Sequence, residues 1–215
     1  LALQRELHRT VPGYGTIGHH YAGIVQGMIA KIEAKTVLDY ACGKGCLGRQ
    51  LDRPIWEFDL AIPGKDESPR VADFVACIDT LEHVEEECLP AVLDDLRRVT
   101  GKVCYLSIAT SPAMKTLPDG RNFHITLHDE AWWKEKLGTF FQLGDSRTDT
   151  TTEHGRGLTH FQIVCGPKAG CPPPGVQTVY AIRAGLDPAF GLLAYDPEAK
   201  VAQPEKPATP EPVPV

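Results

Sequence analysis

Short apolar runs alternate with amphipathic segments along the chain. Apolar residues spaced three and four apart over residues 17–33 predict a helix with one apolar face. The same spacing predicts a helix over residues 87–99, and another is expected after Asp129, a suitable N-cap. Apolar runs predict strands at residues 36–40 and 54–59, around Phe74, and at residues 102–109, 140–144 and 158–165. The alternation predicts an α/β fold.

The composition fits one globular domain with an appendage. The chain has 215 residues, of which 42% are hydrophobic and 23% are charged. Its formal net charge of -6 makes nucleic acid an improbable partner, because phosphate binding needs a local excess of Lys and Arg. No apolar run is long enough to cross a bilayer, and the first residues do not resemble a signal peptide. We therefore expect a cytoplasmic protein without a membrane contact.

The character of the chain changes near its C-terminal end. Prolines 172–174 break any periodicity, and from Pro197 onward proline alternates with Ala, Glu, Lys and Val. Such a segment cannot bury enough apolar surface to offset the entropy of ordering it. We predict three regions: residues 1–34 as an N-terminal lid segment and helix, residues 35–168 as the main domain, and residues 169–215 as a mostly disordered, Pro-rich tail. The tail is a candidate for partner binding.

The most informative segment is a predicted strand that ends in a carboxylate and leads into a glycine turn, residues 37–48. Gly43 and Gly45 allow the backbone to turn sharply with no Cβ in the way, so a flat ligand can lie against the main chain. A short helical run to about Leu51 would present unpaired N–H groups beside that ligand. Asp39 suits a ligand with a positive or hydroxyl-rich portion, such as S-adenosylmethionine (SAM).

This segment resembles motif I of the class I SAM-dependent methyltransferases, with Ala41 in place of the first glycine. The resemblance continues at residues 72–84, which are similar to the family's fourth strand and its "D-x-L-E-H" loop. It covers roughly residues 35–165 and implies a Rossmann-like, doubly wound sheet with an antiparallel final strand. It also implies SAM as the cofactor and a small-molecule acceptor, methylated on O, N or S.

The second crossover is too short for the family's usual arrangement. Only about a dozen residues separate Asp59 from the strand at Phe74, whereas a crossover with its helix alone needs at least about 10–12. We therefore expect the third strand to be missing or vestigial, and we predict no adenine-binding residue from this region. The last two strands are expected to form a hairpin with residues 148–157 as its polar loop.

The resemblance suggests a set of cofactor-binding residues at the carboxyl ends of the strands. Asp59 is a natural acceptor for the ribose hydroxyls, because a carboxylate accepts two hydrogen bonds from a diol. The predicted cofactor site consists of Asp39, Ala41, Cys42, Gly43, Gly45, Asp59, Asp79, Thr80 and Leu81.

Methyl transfer from a sulfonium depends chiefly on positioning, and a base is needed only when the acceptor must lose a proton. His83 and His124 are the candidate catalytic residues, although His83 could equally cap the following helix. The predicted substrate-binding residues are Tyr14, His20, Tyr21, Glu82 and Arg121. The chain's seven cysteines include no pair with good zinc spacing, so we expect reduced thiols and no metal site.

Two other interpretations stay open. Residues 43–48 spell G-x-G-x-x-G, and with Asp59 they would pass as a dinucleotide-binding fingerprint, although the carboxylate of Asp39 would repel a pyrophosphate. The domain could also bind SAM without turnover and serve as an interaction module. A weaker resemblance, carried by residues 13–19 and 116–124, is to uncharacterised phage and proteobacterial methyltransferase-like proteins.

Overall fold

A six-stranded mixed sheet forms the centre of the protein. The structure, a computed structural model, describes residues 2–117, 119–153 and 156–168. The strands lie in the order β2-β1-β3-β4-β6-β5. The first four are mutually parallel, whereas β6 runs antiparallel to both β4 and β5. The strands are Val37–Tyr40 (β1), Trp56–Phe58 (β2), Ala72–Ile78 (β3), Thr100–Ala109 (β4), Phe141–Glu153 (β5) and Arg156–Pro167 (β6).

Helices cover both faces of this sheet, and each face has its own apolar core. Successive residues of a strand point to opposite faces, so Phe74 packs in one core and Val75 in the other. Val25 and Ile29 of one helix fill the first core, while Leu96 and Trp133 belong to the second. The α-helices are Ala2–Thr10 (α1), Ala22–Lys31 (α2), Leu89–Val99 (α3) and Glu130–Phe140 (α4). The predicted doubly wound α/β fold is therefore confirmed.

The shortened second crossover has the predicted consequence. Residues 59–71 are all described and contain no strand, and β2 is an edge of the sheet. Within the described residues the family's third strand is therefore missing. The cap at Asp129 is also as predicted, since its side chain accepts a hydrogen bond from the amide of Trp132 at 2.9 Å.

Three predictions of local structure were wrong. The helix expected over residues 17–33 is a 3₁₀ helix, Ile17–Tyr21, followed by α2. The helical run expected after the glycine turn is a single 3₁₀ turn, Gly48–Gln50, after which Leu51 is already extended. The hairpin continues through the expected loop, because its repeated threonines are β-branched and suit a strand.

The described helices include none long and apolar enough to cross a membrane. The described cysteines are all unpaired, as expected. The predicted Pro-rich tail, residues 169–215, lies outside the described residues.

Candidate functional site

A cavity of about 780 Å³ lies at the carboxyl edge of the parallel strands. Its wall includes a polar side chain from the end of each of the four parallel strands: Asp39 in β1, Asp59 after β2, Asp79 after β3 and Ser111 after β4. β2 lies beside β1 on one flank and β3 lies beside it on the other, so the strand order reverses at β1. Open α/β sheets bind ligands in the crevice that such a reversal creates. The volume is that of a small-molecule site.

Asp39 is a buried carboxylate that faces this cavity. It is 4% exposed, and none of the described residues forms a hydrogen bond with its carboxylate. Burial raises the pKa of Asp39 well above its usual range, and the nearby charge of Glu57 raises it further. A buried, unpartnered carboxylate is costly unless a ligand compensates it. The position therefore suits a ligand that brings a positive charge or hydrogen-bond donors.

The glycine turn after β1 is already covered by the N-terminal segment. Gly43 has a φ of 53°, and a Cβ at this position would lie 2.8 Å from the Cα of Gly15. The amide of Lys44 donates to the carbonyl of Gly15 at 2.8 Å, and its Nζ donates to the carbonyls of Val11 and Pro12 at 2.8 and 2.7 Å. Glycine at position 43 is thus needed for this close approach as well as for the positive φ.

Asp59 braces the same turn. One carboxylate oxygen accepts from the amide of Gly43 at 2.9 Å, and the other accepts from the amide of Ala61 at 2.8 Å. The Nε2 atom of His8 in α1 lies 4.0 Å from this carboxylate. Each oxygen retains a second lone pair, so Asp59 can still accept from a ribose diol while it holds the turn.

Two acidic side chains, Asp79 and Glu82, cluster with His160 around the turn after β3. Nε2 of His160 lies 3.6 Å from the Asp79 carboxylate. Burial alone would raise the pKa of Asp79, but contacts with His160 and Glu82 outweigh it and lower the pKa to about 2. Burial raises the pKa of Glu82 well above its usual range, and the Asp79 charge adds to this effect. Asp79 also has a φ of 53°, a strained value of the kind that concentrates at functional sites.

The two candidate catalytic histidines lie side by side at the cavity. Their ring centroids are 5.1 Å apart. Nδ1 of His83 lies 2.9 Å from the carbonyl oxygen of Phe123, and Nδ1 of His124 lies 2.7 Å from that of Ser111. Each Nδ1 must therefore carry a proton, which leaves the lone pair on Nε2 when the ring is neutral. Burial lowers the pKa of His83 and favours this neutral form.

Aromatic contacts close the cavity from above. The ring of Tyr14 meets His8 of α1 at 4.6 Å and Phe123 at 5.7 Å, and its hydroxyl bonds to Gln4. Phe123 in turn contacts His83 at 5.0 Å. Burial, followed by the charge of Asp59, raises the pKa of Tyr14, so its hydroxyl stays neutral. The segment before β1 and the loop after β4 therefore meet in a roof over the cavity.

The structure brings most of the predicted site residues to one place. Those that line the cavity are Tyr14, His20, Asp39, Ala41, Cys42, Gly43, Asp59, Asp79, Thr80, His83 and His124. Ala41 has a φ of 59° at the position where the family pattern has glycine. Cys42 is buried, and burial raises the pKa of its thiol.

Five predicted residues do not line the cavity. Leu81 is buried in the apolar core, and a Cβ at Gly45 would meet Nζ of Lys65 at 2.8 Å. The hydroxyl of Tyr21 accepts from Ser107 at 2.9 Å. Arg121 is exposed and pairs with Asp119 and Glu85.

The fifth is Glu82, which is fully buried. One of its oxygens accepts from the amide of Ala109 at 2.7 Å, which ties the turn after β3 to the end of β4. The structure therefore places Glu82 beneath the cavity, behind Asp79, instead of among the lining residues.

Several residues that line the cavity were not predicted from the sequence. His160 reaches the site from the antiparallel strand β6, and His8 comes from a helix that the apolar pattern did not predict. Phe123 stands next to His124 in the loop after β4. Of these three residues, only Phe123 could have been predicted from the sequence, because it stands next to His124 in a loop that the resemblance placed near the acceptor.

Similarity to solved structures covers between 68% and 78% of the chain in three examples. The 1,6-didemethyltoxoflavin-N1-methyltransferase of Burkholderia thailandensis, with 1,6-didemethyltoxoflavin and S-adenosylhomocysteine bound, has a TM-score of 0.52 at 14% identity, covering 78% of this chain and 85% of that one. DhpI in complex with SAH has a TM-score of 0.50 at 20% identity, with coverages of 78% and 95%. TehB from Haemophilus influenzae has a TM-score of 0.50 at 15% identity, with coverages of 68% and 62%.

These similarities show a fold. It is that of the class I SAM-dependent methyltransferases, so the resemblance found in the sequence is confirmed at this level. No family model matches the chain, and no curated protein matches it. None of the three structures is described as a phage protein, so the weaker resemblance stays a prediction.

Proposed function

We propose that the protein binds SAM at the carboxyl edge of its sheet and transfers the methyl group to a small-molecule acceptor. The observation that carries this proposal is the buried carboxylate of Asp39, which faces the cavity with no hydrogen bond from the described residues. The ammonium group of SAM would supply the hydrogen-bond donors that this carboxylate lacks, and its charge would add to that of the nearby Lys65. Two structurally similar proteins contain bound S-adenosylhomocysteine (SAH), the demethylated form of SAM, which supports the same choice of ligand.

The proposed cofactor contacts follow the strand ends. Asp39 would bind the methionine end, and the backbone at Ala41 and Gly43 would lie against the ligand. Asp59 would accept from the ribose through its free lone pairs, and Asp79 with Thr80 would line the border between cofactor and acceptor. We place the cofactor within residues 35–168, with residues 1–34 acting as a lid through the contacts of residues 11–15.

The acceptor would lie near the two histidines under the roof of Tyr14 and Phe123. Methyl transfer is an in-line displacement, so the site must hold the acceptor's lone pair in line with the sulfonium. If the acceptor carries a proton, the Nε2 atom of His83 or His124 is the base that the geometry offers. The acceptor molecule of the similar Burkholderia enzyme supports the small-molecule class.

The dinucleotide interpretation has less support. A pyrophosphate needs the amides at the start of an α-helix, but here the G-x-G-x-x-G segment leads into a single 3₁₀ turn of three residues. Asp39 would also place a carboxylate near the diphosphate. Binding of SAM without turnover would need the same cavity, so only an activity assay separates it from the proposed enzyme.

The decisive experiment is calorimetric titration of the purified chain with SAM, with SAH and with NAD. We expect saturable heat with SAM and SAH and none with NAD. Heat with NAD and none with SAM would contradict the proposal. Incubation with a methyl-labelled donor and a panel of small hydroxyl, amine and thiol compounds then tests turnover, and binding without label transfer to any of them would favour the interaction module.

A further inference from the structure

Three side chains able to bind a metal meet beside the cavity. One ligand atom from each of Glu82, His83 and His124 lies within 4.8 Å of the other two. Glu82 and His83 stand together in the 3₁₀ turn after β3, Leu81–His83, whereas His124 belongs to the loop after β4. The fold brings together residues that the spacing of cysteines and histidines in the sequence did not connect, so metal binding was not expected from the sequence.

Glu82 carries the clearest sign of a missing ligand. The residue is 0% exposed, and although its Oε1 accepts from Ala109, its Oε2 is buried with no hydrogen-bond partner among the described residues. Such an atom is rare in folded proteins and calls for an explanation. A proton shared with the neighbouring carboxyl of Asp79 would also satisfy it, and the raised pKa of Glu82 beside the lowered pKa of Asp79 is consistent with such a proton. A cation bound to Oε2 would satisfy it directly.

The two histidines are oriented as metal ligands are. Histidines that bind a metal through one nitrogen almost always donate the other N–H to a carbonyl or a carboxylate. Nδ1 of His83 and Nδ1 of His124 each lie within 3 Å of a backbone carbonyl, at 2.9 and 2.7 Å. The Nε2 atom of each ring is then the free ligand atom. Phe123 packs against His83 and holds the ring in place.

We propose that Glu82, His83 and His124 bind a divalent first-row transition cation, through Oε2 and the two Nε2 atoms. Ligand atoms about 2.1 Å from one ion lie at most about 4.2 Å apart, and one ligand atom from each of the three side chains already lies within 4.8 Å of the others. Two imidazoles and one carboxylate leave coordination positions open to the cavity, where water or an acceptor atom can bind. The cation site rests on these three side chains. Only its place beside the acceptor rests on the proposed function. With the cation bound, neither Nε2 atom is free to act as the base, so the histidines serve as bases only in the cation-free protein.

Cobalt(II) is a suitable probe, because its visible absorption reports its ligands. The purified 215-residue chain is treated with EDTA, the chelator is removed, and Co²⁺ is titrated while absorbance and heat are followed. We expect one Co²⁺ ion per chain. Its visible absorption bands should disappear when Zn²⁺ displaces it. His124→Gln and Glu82→Gln should each weaken Co²⁺ binding at least tenfold. His128→Gln is the matched control, since His128 also pairs with a glutamate, Glu86, at 3.1 Å but lies outside the cluster.

Two results would overturn the site: no Co²⁺ or Zn²⁺ binding to the wild-type protein, or equal affinity in His124→Gln and His128→Gln. The first would mean that a proton shared by Asp79 and Glu82 satisfies the buried oxygen. A SAM titration of the EDTA-treated protein separates this question from the proposed function. We expect SAM to bind with or without the cation, so a failure of SAM binding counts against the methyltransferase proposal alone.

Discussion

The Cα of Gly15 lies 2.8 Å from the position that a Cβ on Gly43 would occupy, and the carbonyl oxygen of Gly15 is closer still. The two glycines therefore form a backbone-to-backbone contact between the N-terminal segment and the turn after β1. No other residue type at position 43 allows this contact unless one of the two backbone segments moves. The contact places residues 11–15, the proposed lid, against the proposed cofactor site.

We expect Gly43→Ala to destabilise the protein and to weaken SAM binding. The substitution adds the cost of a positive φ, about 1–2 kcal/mol for a residue with a Cβ, and an overpacking cost of about 1–3 kcal/mol. Gly64→Ala is the matched control, since Gly64 also has a positive φ, of 84°, but open space around its Cα. Urea unfolding of both variants measures the difference. An equal loss of stability in the two would show that the contact with Gly15 is not energetically important.

Asp39→Asn is expected to stabilise the empty protein and to weaken SAM binding. The pKa of this carboxyl is raised in the folded state, so its contribution to stability is fully present below the unfolded value of about 3.9 and is lost as the pH rises through the folded pKa. Asparagine does not titrate, so the variant avoids that loss. The free energy of unfolding of Asp39→Asn should therefore exceed that of the wild type by more at pH 8 than at pH 5. A lost charged hydrogen bond of about 1.5–3 kcal/mol corresponds to roughly 10- to 100-fold weaker SAM binding.

Asp52→Asn serves as the control for that experiment. Asp52 has a side chain 69% exposed, with Arg53 at 3.6 Å, so its stability should change by no more than about 0.5 kcal/mol and its SAM affinity not at all. Unfolding curves at the two pH values and a SAM titration test both variants. If Asp39→Asn binds SAM as tightly as the wild type, the ligand has been assigned to the wrong part of the cavity.

The sequence predicted those parts of the fold that depend on local pattern. Motif I, the "L-E-H" turn and the cap at Asp129 are contiguous, so their residues reveal their structure directly. His160 and His8 were missed because they reach the site from β6 and α1, and only the tertiary fold brings them there. Glu82 and Leu81 lie in a conspicuous motif but face inward, because a tight 3₁₀ turn directs its side chains in ways that spacing does not indicate.

The hairpin illustrates a second limit of sequence analysis. Polar residues such as Thr148 and Thr150 suggested a loop, yet both lie in register with β6. An edge strand of a mixed sheet can be polar when its faces are solvated, so polarity alone does not separate it from a loop. The β-branched side chain of threonine is the property that would have distinguished them.

Ala41→Gly is expected to leave the protein equally stable or to stabilise it by up to about 1.5 kcal/mol. Relief of the positive φ at Ala41, 59°, gains about 1–2 kcal/mol, and the flexibility of glycine in the unfolded chain costs about 0.5–1 kcal/mol. Ala30→Gly, on the exposed side of α2, should instead lose about 1 kcal/mol. Thermal unfolding measures both. A loss at position 41 as large as that at position 30 would mean that Ala41 is not strained.

The proposed lid is held in place by Lys44, whose ammonium donates to the carbonyl oxygens of Val11 and Pro12. Lys44→Met keeps most of the side-chain volume and removes both hydrogen bonds, so the segment should open more often. We expect faster amide hydrogen exchange around residues 11–16 without a loss of global stability beyond about 1–2 kcal/mol. SAM should slow that exchange in the wild type, because a ligand beneath the segment favours the closed state. Lys31→Met, at the exposed end of α2, is the control and should exchange as the wild type does. Unchanged exchange in Lys44→Met, or no effect of SAM in a protein that binds it, would show that residues 11–16 are a fixed wall of the cavity and not a lid.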